Sequence, residues 1–176
     1  MNIQNVILGF LSEEPMSGYD IKRKMEVTVA HFFDASFGAI YPALRRMEKD
    51  GYVKKEVIQQ EGKPNKNLYV ITSKGQEEFQ QYMESPINPT IMRSDFFIRL
   101  FFGKFTKKEN ILQWMENEKE HVKRDLESLL EVQSNSPNTD KYKKITLEYG
   151  LEYSKMTIKL LDTQIKFLRE EDKGKF

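Results

Sequence analysis

Apolar residues recur at helical spacing from the start of the chain, where Ile3, Val6, Ile7, Phe10 and Leu11 form one stripe that Glu13-Glu14-Pro15 interrupts. Ser17-Gly18-Tyr19-Asp20 follows, a hydroxyl N-cap with an acid at the third helical position, and Ile21 and Met25 mark the inward face of a second helix. The stretch 38–52, GAIYPALRRMEKDGY, predicts a third. Its Ile40, Leu44 and Met47 share one face, while Tyr41, Pro42, Arg45, Arg46 and Lys49 lie around the other. Pro42 falls in the first turn, where its missing N–H has no partner to lose, and Asp50-Gly51 stops the helix. The period then changes. Tyr52 to Ile58 and Leu68 to Thr72 read as strands, with the polar run 59–67, QQEGKPNKN, as a cationic hairpin tip between them. Thr72 then caps a further helix that carries Phe79.

Three helices, a hairpin and a trailing helix are the element order of a winged helix-turn-helix, assigned here to residues 1–83. In that arrangement the third helix can reach base edges in a DNA major groove about 12 Å wide, with the hairpin tip beside it. A surface helix with solvated Arg and Lys side chains is the other reading of the stretch by itself. Tyr52, Tyr69 and Phe79 read as core.

Beyond Met83 the pattern alters. Residues 84–91 contain Pro86 and Pro89 among small polar residues and read as a linker, and 92–176 as a helical dimerisation domain. Phe96, Phe97, Phe101, Phe102 and Phe105 crowd its first stretch, as rings that fill a helix core or interface, or that line a ligand pocket. Two long helices complete it. Ile111, Met115, Val122, Leu126, Leu129 and Leu130 are the expected buried positions of the first, which ends around Pro137; Ile145, Tyr149, Tyr153, Met156, Leu160, Ile165 and Leu168 are those of the second. Stripes this wide need a partner surface beyond the two helices, most simply a second copy of the chain. Gly150 in mid-helix costs about 1 kcal/mol relative to Ala, which predicts close helix packing there. The fold class is therefore mainly α with a small β-hairpin.

Charge changes the picture locally. The 28 basic and 27 acidic residues leave a net charge of +1, so the total says nothing for nucleic acid. Residues 36–76 carry eight cations and four anions, +4, which leaves −3 for the remainder. Residues 1–83 balance at eleven and eleven, so a winged-helix module that binds protein without specific DNA recognition stays open, decided by whether the cations gather on one side. The absence of cysteine excludes disulfides, thiolate metal sites and a Cys nucleophile. His31 and His121 have no metal-ligand spacing around them, no glycine-rich phosphate loop follows a strand, and Glu116, Glu118 and Glu120 read as a solvated helical face. No enzyme, cofactor or metal is expected. Without a leader pattern or an apolar run near 18 residues, the chain reads as cytoplasmic with no membrane partner.

SGYDI, GAIYPALRRMEKDGYV, the polar tip GKPNKN with YVITSKGQEEF after it, and the later YGLEY stand in one order along the chain. Together they resemble the PadR family of bacterial transcriptional regulators, in its longer subfamily, over essentially the whole length. The resemblance implies a homodimer on double-stranded operator DNA with two-fold symmetry, usually as a repressor, released by a small aromatic or otherwise apolar effector. Carried over by position, Tyr41, Pro42 and Arg45 face the groove, Ser17 and Tyr19 contact phosphate, and Lys63, Asn65 and Lys66 form the wing contacts. Arg46 and Lys49 join the set, with the DNA backbone or solvent as their surroundings. In the family a tryptophan usually follows the YGL glycine by about ten residues; Leu160 stands there instead, and Trp114 is the one tryptophan. A phenolic-acid pocket is therefore not carried over. DNA binding without any effector remains a further reading.

Overall fold

Asn2 opens the first helix, its side chain accepting the Gln4 N–H at 3.3 Å in a computed structural model that describes residues 2–29, 32–33, 37–59, 65–135 and 139–170. The chain divides into two units, Met1–Thr90 and Ile91–Phe176.

In the first unit α1 (Ile3–Glu13) buries Ile7, Leu8 and Leu11 and ends where Glu14 turns extended, the conformation imposed on the residue before Pro15. β1 (Met16–Ser17) leads directly into α2 (Gly18–Thr28), with the full capping box between Ser17 and Asp20. A short 3-10 turn, Phe37–Ala39, precedes α3 (Ile40–Lys49). Ile40, Leu44 and Met47 are fully buried, and Ala43 is nearly so, on the face that the apolar spacing indicated. The stop is a Schellman motif: Tyr52 N–H bonds Met47 O at 2.9 Å, Gly51 N–H bonds Glu48 O at 3.1 Å, and Gly51 takes the φ of 79° that the motif requires. β2 (Val53–Ile58) and β3 (Lys66–Ile71) then pair antiparallel, Val53 opposite Ile71 and Ile58 opposite Lys66. β2 is exposed beyond Val53, so the hairpin projects from the body instead of covering it.

The sheet has one strand more than the sequence pattern indicated. β1 pairs with β3, Met16 opposite Tyr69 and Ser17 opposite Leu68, giving the order β1-β3-β2. Two residues cannot display a period of two, and Ser17 carries a helix-cap signal that masks its strand role. α4 (Ser73–Glu84) is capped by Thr72, and Phe79 packs against the core with Tyr52. That core joins the three helices to Val53 and Tyr69, and each fully buried aliphatic side chain in it contributes about 1.5–3 kcal/mol.

The second unit begins with the short α5 (Asp95–Phe101), whose Ser94 hydroxyl accepts the Phe97 N–H at 3.2 Å. α6 (Lys108–Asn135) and α7 (Lys141–Glu170) follow. They run antiparallel, as Arg169 to Glu116 at 3.0 Å, Lys119 to Asp162 at 3.2 Å, and the place of Gly150 beside Leu129 together show. A Cβ on Gly150 would lie 3.2 Å from a Leu129 methyl, which is the close packing its position suggested. Met115, Leu161 and Ile165 form a core with Phe96, Leu100, Ile111, Leu112 and Leu168 around it.

Burial departs from the apolar spacing in three places. α7 turns Leu151, Ser154, Leu161 and Ile165 inward, while Ile145, Tyr149, Tyr153, Met156 and Leu160 are exposed. The helix carries two apolar stripes, and the inward one contains Ser154, a polar residue where the spacing calls for an apolar one. The phenylalanine run is also divided: Phe96 joins the core, whereas Phe97, Phe101, Phe102 and Phe105 are exposed. Leu130, expected inside α6, is exposed as well.

Candidate nucleic-acid interface

α3 buries its aliphatic face so completely that everything else on it must point outward. Tyr41, Pro42, Arg45, Arg46 and Lys49 are all exposed, and among the described residues no ion pair engages the three cations. Arg46 and Lys49 occupy the last turn, where positive charge complements the helix dipole. The guanidinium of Arg45 and the ring of Tyr41 lie close enough to Tyr69 of β3 to influence its phenol, although burial is the main cause that raises that group above its ordinary value, ahead of the charge on Glu48.

α2 supplies the second part. Gly18 lies under the Tyr41 ring, and a Cβ there would meet Tyr41 Cε1 at 2.6 Å. The missing side chain lets the first turn of α2 and the first turn of α3 approach each other, and it supports a ring that is still 49% exposed. Tyr19 beside it is exposed. Ser17 is not: it is 8% exposed, its hydroxyl accepts the Asp20 N–H at 3.2 Å and donates to Asp20 Oδ2 at 2.8 Å. Its capping role uses the hydroxyl in both directions.

The wing supplies the third. Lys63 lies outside the described residues, as does His31. Asn65 is exposed immediately before β3, and Lys66 is the first residue of that strand. The Lys66 ammonium reaches back to Asp20 Oδ2 at 2.9 Å, an ion pair about two-fifths exposed on each side. That hydrogen bond, with the one from the Ser17 hydroxyl, holds the Asp20 carboxyl below its ordinary range. A shallow depression lined by Glu14, Pro15, Met16, Asp20, Lys24, Lys66 and Leu68 surrounds the pair.

Two ties that hold this surface in place were missed by sequence reasoning. Asp20 was read only as a helix cap, and its cationic partner is 46 residues away by number, beyond the reach of any local pattern. At the end of α3, Lys74 donates to Asp50 O at 2.8 Å and the Thr72 hydroxyl donates to Gly51 O at 2.7 Å, so the start of α4 secures the end of α3. Among the described residues no cluster of three metal-ligating side chains occurs, and no helix is long and apolar enough to cross a membrane.

Known proteins share this fold. Residues 7–81 match the model of the transcriptional regulator PadR-like family, and residues 92–169 that of the virulence activator alpha C-terminal family. The PadR-like transcriptional regulator of Bacillus cereus, a crystal structure, is 34% identical, superposes with a TM-score of 0.87, and is matched over 96% of this chain and 98% of that one. A probable transcriptional regulator of Mycobacterium tuberculosis is 32% identical over 90 residues, 51% of this chain and 48% of that protein. The negative transcriptional regulator PadR of Bacillus subtilis is 28% identical over 102 residues, 57% of this chain and 56% of that protein. The sequence matches thus span about half the length of these two relatives. Crystal structures of the Bacillus subtilis protein share the fold: one in complex with operator DNA has a TM-score of 0.79 at 20% identity, covering 94% of this chain and 98% of that one. Another, in complex with p-coumaric acid, has a TM-score of 0.70 at 18% identity, covering 96% of each chain. With a winged helix-turn-helix in its first unit, a long helical hairpin in its second, and a relative matched end to end at 34% identity, the chain belongs to the PadR-like family of transcriptional regulators.

Proposed function

We propose that the protein is a homodimeric, sequence-specific DNA-binding repressor acting in the cytoplasm, and that a small aromatic or apolar effector releases it. The observation that carries the reading is the outer face of α3, where Tyr41, Pro42, Arg45, Arg46 and Lys49 are exposed together and the cations lack ion-pair partners among the described residues. A free guanidinium can bond two acceptors on one guanine, and Tyr41 can lay its ring on a sugar or thymine methyl. Tyr19 at the start of α2, and Lys63 with Asn65 in the sequence between β2 and β3, add phosphate contacts. Ser17 contributes by fixing the α2 turn that carries Tyr19. Repression is supported by the name of the Bacillus subtilis relative, and an aromatic effector by the p-coumaric acid bound to that protein. Leu160 in place of the family's tryptophan points to an effector other than a phenolic acid.

The dimer would place two recognition helices about 34–36 Å apart, in successive major grooves. An effector with different affinity for two spacings would shift the population between them. Residues 1–83 then serve as the DNA-binding domain, 84–91 as linker and 92–176 as dimerisation domain.

The test is binding to a fragment of the protein's own promoter region at several salt concentrations, with random DNA as competitor. Competitor-resistant binding with a steep salt slope is the expected result. Arg45→Ala is expected to lose about 1–3 kcal/mol on the operator and much less on random DNA. Equal losses on both would remove Arg45 from base recognition, and no binding to any DNA would pass the lead to a protein-binding role.

A further inference from the structure

We infer that the Asp20–Lys66 pair is a positioning device that fixes the wing against the helix-turn-helix, and that Lys66 serves DNA binding through Asp20 instead of through a phosphate. This rests on the DNA-binding reading above and concerns which residues set the geometry of that site.

The backbone tie between wing and body is short. β1 pairs with β3 only at Met16–Tyr69 and Ser17–Leu68, because at Gly18 the chain turns into α2 and its N–H and C=O groups leave the ladder. Lys66 lies two residues further along β3 toward the hairpin tip, beyond the last backbone pair. Its ammonium meets Asp20 Oδ2 at 2.9 Å and extends the attachment by a side chain where the ladder has stopped. The carboxylate is set for this role. The Ser17 N–H donates to the same oxygen at 3.2 Å and the Ser17 hydroxyl at 2.8 Å, so the capping box orients Asp20.

The neighbouring cations behave differently. Lys54 pairs with Glu56 on its own strand, a contact that ties β2 to no other element, and Arg45, Arg46 and Lys49 have no ion-pair partner among the described residues. Among these cations Lys66 is the one that bridges wing and helix-turn-helix. The wing needs such a tie, since β2 is exposed beyond Val53 and little apolar packing sets its angle. Handing Lys66 to a phosphate would break the bridge and leave a carboxylate facing DNA. With side chains 38% and 41% exposed, the pair contributes modestly, and its loss is expected to weaken operator binding about 2- to 5-fold.

Asp20→Asn and Lys66→Met separate the alternatives by sign. Asn keeps an acceptor for the capping box but lacks the charge; Met keeps most of the Lys stem. The intact chain and its variants, checked for folding by circular dichroism, are titrated on the operator across a salt series. Positioning predicts that both single variants bind about 2- to 5-fold more weakly with an unchanged salt slope. The double variant should be no worse than either single one, and Lys66→Arg should bind as the parent does. A phosphate contact predicts the opposite for Asp20→Asn, which would bind as well as the parent or better, while Lys66→Met lowers the slope by about one. That result, or additive losses in the double variant, overturns the inference. A parent chain that binds no DNA removes the functional reading and the inference together, an outcome distinct from either.

Discussion

Tyr41 shows how much of this surface depends on a side chain that is absent. Its ring rests on Gly18, and any Cβ there would stand 2.6 Å from Cε1, too near for both to keep their places. The ring is the part that can yield, because it is half exposed. Gly18 is itself buried, so the added methyl must displace the ring, a cost that better helix propensity at the first turn offsets in part, and Gly18→Ala is expected to lower thermal stability by about 1 kcal/mol. Operator affinity should nevertheless fall about as far as in Tyr41→Ala. Thermal melts beside anisotropy titrations of the two variants check this. A stable Gly18→Ala protein that binds normally would show that the orientation of Tyr41 does not matter to recognition. The residue types on α3 were legible from sequence, since an exposed face is what remains when Ile40, Leu44 and Met47 are assigned inward. The role of Gly18 was not, because contact between two helix starts is a property of their crossing.

Among the elements, the end of α3 is held by the start of α4. The Thr72 hydroxyl accepts the Gly75 N–H at 3.1 Å as the cap of α4 and donates to Gly51 O at 2.7 Å, while Lys74 covers Asp50 O and stacks on the Tyr52 ring at 4.9 Å. One hydroxyl thus closes the start of one helix and the end of another. Thr72→Val keeps the shape and removes both bonds, so it should cost about 1–2 kcal/mol in urea unfolding of the chain. A loss below a few tenths would mean that water replaces both partners. The capping signals at Ser17 and Thr72 and the Asp50-Gly51 stop were read correctly from sequence, because each is a local arrangement in which the required side chain lies within three residues of the group it satisfies. β1 escaped notice for the opposite reason: its evidence is its partner strand, about 50 residues later.

For the whole molecule, the outer stripe of α7 is a large apolar surface left exposed. Tyr149, Tyr153, Met156 and Leu160 are exposed along one side of the helix, a row of large apolar groups that a monomer seldom leaves in water. The proposed homodimer would cover it. Leu160, 56% exposed, and Leu161, 7% exposed, are adjacent in sequence and opposite in environment. Leu160→Glu is expected to yield folded monomers by sedimentation, with unchanged helical content and weaker operator binding, since linked half-sites gain affinity that separate ones do not. Leu161→Glu should instead unfold the second unit, because it places a charge in the α6–α7 core. A dimer that persists in Leu160→Glu would place the subunit contact elsewhere.

The sequence by itself determined the helices, the hairpin, the caps and the outward chemistry of α3, along with the family to which these motifs belong. Those features depend on neighbours within a few residues, and the periods of 3.6 and 2 report them directly. Tertiary structure decided the rest. It chose which of two apolar stripes on α7 meets α6, left four phenylalanines of the α5 region exposed, added a third strand to the sheet, and gave Lys66 to Asp20. Each of these depends on which distant segment lies opposite, and periodicity shows that a face is apolar or charged without showing what it will meet.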